Sequence, residues 1–133
     1  MKGISEKRLR RMEEAAPVRL ELLARHDACM VCGHSPRRPW KDKPRECSQL
    51  CVHEIANGVN RQKALDKPFA CLVLCWYCNQ YEMTNKRKWP EARQLAVLLK
   101  KSPNDYDLAA YLELTNPRAP NRIEQSEVDS WKC

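Results

Sequence analysis

With 133 residues, 43% of them hydrophobic and only a single Phe, the chain has material for one domain with a modest core and not for two. Its 24 Lys+Arg against 17 Asp+Glu give a formal charge of +7, which suits a polyanionic partner such as nucleic acid as well as it suits a plain basic surface. The longest apolar run, Phe69–Tyr77, falls far short of the ~20 residues of a membrane span, so a membrane-embedded class is excluded.

The first residues, Met-Lys-Gly-Ile-Ser-Glu-Lys-Arg, are charged and contain no apolar signal core, which predicts a chain kept in a reducing cytoplasm. There, among the eight cysteines, those at C-x-x-C spacing read as metal ligands rather than as a disulfide framework. Residues 5–26 are predicted helical, with Leu9, Met12, Ala16, Leu20 and Leu23 as the apolar stripe. Pro17 breaks or kinks that pattern, so the region is one helix or two short ones. Residues 35–46 carry three prolines and five basic residues and read as a loop. Twelve Lys/Arg against six Asp/Glu lie within residues 1–45, so the positive excess is concentrated there.

Two strands are expected next, Leu50–Ile55 and Pro68–Leu74, joined by a polar connection that turns at Gly58. A helix should start near Trp76 and run towards Thr84-Asn85. Pro90 opens a helix over Glu91–Lys101 with Ala92, Leu95, Ala96 and Leu99 on one face. Asn104 or Asp105 should cap a further helix ending at Asn116-Pro117, and a last helical turn is expected over Glu124–Trp131.

The strongest chemical signal is Cys29-Met-Val-Cys32-Gly33 together with Cys75-Trp-Tyr-Cys78. Two intervening residues let both thiolates of a pair reach one ion, and the glycine permits the tight turn of a zinc knuckle. Two such pairs supply the four soft ligands of a closed, structural Zn2+ site. Among the other cysteines, Cys51 and Cys71 read as small apolar residues on buried strands, Cys47 and Cys51 alternatively as competitors for the zinc or ligands of a second one, and Cys133 as inert. His26 and His34 carry weaker signals, His34 as a neighbour of the first knuckle.

The order of these parts is knuckle, loop, strand ending Val52-His53-Glu54-Ile55, glycine-containing connection, strand Leu72-Val73-Leu74, second knuckle and helix. Over roughly residues 29–84 this resembles the HNH endonuclease family, whose ββα-metal motif runs in the same order. His53-Glu54-Ile55 with Gly58, Asn60 and Arg61 looks most like HNH-type proteins of bacteriophages and some bacterial genomes. The resemblance implies an α+β fold: a small zinc-stapled ββα-metal centre (29–84) between an N-terminal basic helical segment (1–28) and a C-terminal helical extension (85–133).

It further implies a catalytic Mg2+ or Mn2+ separate from the zinc, DNA as substrate, and the cytoplasm of a bacterial or phage-infected cell. By position, His53 falls where the family has a metal-binding strand residue, Glu54 where it has the general-base histidine, and Asn79 where a helix residue contacts the second ion. The family's middle Asn falls at Ala70, and the base position is Glu instead of His, unless the strand end is shifted by one residue and His53 itself is the base. These departures keep a second reading open, a catalytically silent nucleic-acid-binding or protein-interaction module with a phage or host protein as partner. Arg37, Arg38, Lys41, Lys43 and Arg45 around Trp40, Arg61, and Lys86, Arg87 and Lys88 beside Trp89 are the residues expected to track phosphates and stack on a base.

Overall fold

Ser5 opens the first helix, its hydroxyl accepting from the backbone N–H of Arg8 at 3.2 Å, which satisfies one of the donors left over at a helix start. The computed structural model describes residues 5–35, 49–58, 60–118 and 121–131. Arg37, Arg38, Trp40, Lys41, Lys43, Arg45, Cys47 and Cys133 therefore lie outside the described residues.

Helix α1 runs unbroken over Glu6–Arg25 with Pro17 inside it. Pro17 and Glu13, four residues earlier, are both exposed, so water can bond the carbonyl that a proline leaves without an N–H. The buried face is not the expected one. Ala15 and Leu22 are buried, while Leu9, Met12 and Leu20 are 44%, 45% and 66% exposed. What seats α1 is the guanidinium of Arg19, which donates to the carbonyls of Val52 at 2.9 Å and Leu65 at 3.2 Å. Met12 and Leu20 border a groove with Arg19, Arg61 and Leu65.

Strands β1 (Leu50–Glu54) and β2 (Cys71–Cys75) pair antiparallel, with Val52 opposite Val73 and His53 opposite Leu72. The second strand starts later than predicted, because Pro68–Ala70 forms a 3-10 turn; Pro68 has no N–H to give to a ladder. Between the strands, Gly58 takes φ +61° and a short helix α2 covers Asn60–Lys63. The chain leaves β2 through Trp76 and Tyr77 into a π-helical turn, Cys78–Glu82.

Helix α3 spans Glu91–Lys101 with Pro90 at its N-cap. Helix α4, Leu108–Thr115, is capped by Asp107 through the N–H of Ala110 at 3.0 Å and ends at Asn116 with φ +44°. Neither predicted cap, Asn104 or Asp105, holds that position; Asp105 accepts from Ser102 Oγ at 2.6 Å and pairs with Arg25 at 3.2 Å. Helix α5 covers Gln125–Ser130. The result is a mixed fold of helices around a two-stranded sheet. Its core joins Leu22 of α1 to Val128 of α5 through Ile55, Leu72, Leu74, Leu95 and Tyr111. No described helix is long and apolar enough to cross a membrane.

Candidate metal centre and histidine groove

The first Cys pair sits in a tight loop because Gly33, at φ +77°, lets its N–H return to the carbonyl of Cys29 at 2.9 Å. The N–H of Met30 bonds the carbonyl of Val73 at 2.9 Å and so fixes this loop against β2. The second pair is fixed by the fold itself, with Cys75 ending β2 and Cys78 opening the π-helical turn. In each pair the later N–H points at the earlier sulfur, Cys32 to Cys29 at 3.5 Å and Cys78 to Cys75 at 3.4 Å.

All four sulfurs lie within 4.8 Å of one another, and those of Cys32 and Cys75 are 3.7 Å apart. A tetrahedron with zinc–sulfur bonds of about 2.3 Å has sulfur–sulfur edges of about 3.8 Å. The cluster can therefore hold a structural metal such as zinc. A hydrogen bond from Cys78 draws the Cys29 thiol down, while burial raises Cys32 and Cys75. Four sulfurs at this spacing become thiolates together only around positive charge.

The remaining cysteines behave otherwise. Cys71 donates to the carbonyl of Ala64 at 3.2 Å, and burial pushes it up to about 12, as for an inert core thiol. Cys51 is half-buried and donates to the carbonyl of Leu74 at 3.4 Å. His34 is buried beside the knuckle, 1% exposed, and neither ring nitrogen has a partner among the described residues.

A groove of about 390 Å3 opens on the other side of the π-helical turn, bordered by His53, Glu54, Arg61, Asn79 and Lys86. His53 Nδ1 faces Asn79 Oδ1 at 3.0 Å, and Nε2 faces Gln94 Oε1 at 2.8 Å. Gln94 is oriented by its own Nε2–H, which donates to the carbonyl of Trp89 at 2.9 Å. The oxygen of Gln94 therefore faces the ring, and Nε2 of His53 carries the hydrogen. Burial holds the His53 imidazole below its ordinary value, so the ring is neutral near pH 7 and Nδ1 keeps a lone pair.

A lone pair opposite an amide oxygen needs either the amide turned over or a cation shared between them. A separation of about 3.0 Å is also the edge of an octahedron with ligands at about 2.1 Å.

Glu54, the next residue of β1, borders the same groove as His53 and meets Arg19 at 3.5 Å, the two side chains being 11% and 25% exposed. Sequence reading missed both Arg19 and Gln94. A glutamine inside the apolar face of α3 was the available signal, since a polar residue buried there needs partners.

The basic cluster after the metal turn is divided. Lys86 borders the histidine groove with Arg61, Arg87 is exposed, and Lys88 pairs with Glu82 at 2.8 Å. Trp89 is no stacking platform: it is 5% exposed, its indole N–H donates to Glu82 at 3.0 Å, and the guanidinium of Arg93 covers its face at 3.8 Å. Compared with protein-family models, curated proteins and solved structures, the chain finds no match.

Proposed function

We propose that the protein is an HNH-type, metal-dependent endonuclease that hydrolyses DNA phosphodiester bonds in the His53 groove, with the four cysteines holding a structural zinc. The observation that carries this reading is the His53–Asn79 pair, one group from a strand and one from the helical turn behind it, 3.0 Å apart in a groove that Arg61 and Lys86 also line. A divalent ion bound there would supply positive charge against the charge that builds on the phosphate. His53, neutral and oriented through Gln94, offers Nδ1 to that ion. Asn79 offers its amide oxygen beside it. Arg61 and Lys86 hold the flanking phosphates. The tie between Glu54 and Arg19 supports a seating role for this carboxylate rather than that of the proton acceptor.

A silent binding module is the second reading. It is favoured by both ring nitrogens of His53 already facing protein oxygens and by its 8% exposure. Supercoiled plasmid incubated with the zinc-loaded protein separates the two. The nuclease reading expects nicking with Mg2+ or Mn2+, none without added divalent ion, and loss of nicking in His53→Ala with zinc content retained. Binding without nicking under every divalent ion tested would leave the silent module standing.

A further inference from the structure

A second groove, about 500 Å3 in volume, lies beside the Cys cluster between the first knuckle, the π-helical turn and α3. Its size is that of a site for a small molecule or nucleotide, ~300–1,000 Å3. Four cations border it, Lys88, Arg93, Lys100 and Lys101, against one carboxylate, Glu82. Glu82 is already neutralised by Lys88 at 2.8 Å and the Trp89 indole at 3.0 Å. Arg93 is set in advance, stacked on Trp89 at 3.8 Å and donating to the carbonyl of Lys88 at 2.7 Å.

The groove also has an aromatic border. Tyr77 lines it and packs on Tyr81 with ring centroids 4.9 Å apart; Tyr81 meets Trp76 edge-on at 5.8 Å. Tyr81 is 58% exposed, a large ring left in solvent beside Tyr77, which lines the groove.

We propose that this groove binds an unpaired nucleic-acid strand, with Arg93, Lys100 and Lys101 along the phosphates and Tyr81 stacking on a base. Cations alone would take any polyanion, including an acidic protein segment. The exposed ring favours a strand whose bases are free, because stacking on a protein aromatic needs a base face that a duplex keeps covered. The proposal stands apart from hydrolysis in the other groove, since it involves neither His53 nor Asn79.

The test is fluorescence anisotropy of a labelled 20-nucleotide oligo(dT) with the zinc-loaded chain and no other divalent ion, titrated with salt. Affinity should fall steeply with salt for the wild type. Lys100→Gln combined with Lys101→Gln should weaken binding about tenfold and flatten the logarithmic salt slope by about 1.4, two phosphate contacts on a single strand. Tyr81→Ala should weaken it about five- to tenfold with the salt slope unchanged.

Both changes fall on exposed residues, and unaltered melting temperature and zinc content establish that the variants are folded. Wild-type affinity in the folded double-lysine variant overturns the proposal. So does wild-type affinity in Tyr81→Ala with poly-glutamate competing at equal charge, which would make the groove a docking surface for acidic protein. His53→Ala should bind oligo(dT) as the wild type does, so failed nicking and failed strand binding are distinguishable.

Discussion

His53 of β1 and Asn79 of the π-helical turn face each other across 3.0 Å, and neither is positioned by its own element alone. The ring of His53 is set from behind by Gln94 of α3 at 2.8 Å, and Asn79 is placed because it directly follows Cys78. The Cys cluster thus bears on the histidine groove through one peptide bond. A metal holding Cys78 also holds the start of the turn that presents Asn79.

Metal content is the first check on that coupling. The protein is expected to carry about one zinc per chain. Cys75→Ser should lose it and melt at a much lower temperature or fail to accumulate as folded protein, because binding energy at such sites is folding energy. Elemental analysis with thermal melting decides. A folded wild type without metal would refute the assignment.

Gln94 has no exposure and partners on both sides. Gln94→Leu, close in volume, should cost about 1–3 kcal/mol in urea unfolding, because the Trp89 carbonyl and the His53 N–H are left unpaired. Zinc content should not change. A neutral result would mean that water or a rearranged ring replaces the glutamine.

Arg19→Leu should also cost about 1–3 kcal/mol, since two carbonyls and a part-buried carboxylate lose their donor. Faster amide exchange should be concentrated in α1, which Arg19 anchors. Glu54→Gln keeps an acceptor for Arg19 and should cost under about 1 kcal/mol. It should also retain most plasmid nicking. Loss of nicking equal to that of His53→Ala would instead assign Glu54 the proton-accepting role.

Stability should fall on acidification in a way that reports His53. Burial holds His53 below its ordinary 6.5, and burial likewise lowers His26. As pH drops through about 6.5 the unfolded chain binds these protons before the folded one does, so unfolding free energy decreases. The loss levels out once the folded rings also protonate. The His53 share is at most about 1.4 kcal/mol per pH unit. His53→Asn should show a shallower slope than the wild type between about pH 7 and 5, measured by urea unfolding at each pH. Identical slopes would show that His53 titrates as it does in the unfolded chain.

Residue order was enough for features governed by neighbours in the chain. The two Cys-x-x-Cys pairs, the turns at Gly33 and Gly58, helix α3 behind Pro90 and the αL stop at Asn116 all depend on spacing, on φ and on missing N–H groups. Those constraints act within a few residues. Packing decided the rest. Which face of α1 is buried depends on its contacts across the fold, Leu22 in the core and Arg19 on Val52 and Leu65, 33 and 46 residues away. The division of Lys86 and Lys88 between two grooves follows from where the π-helical turn sits. That His53 is met by Gln94, 41 residues later, depends on α3 lying against the sheet. Trp89 read as an exposed stacking ring, yet Glu82 and Arg93 claim its edge and face. A side chain's partners across the fold are set by the free energy of the whole core, which no local pattern encodes.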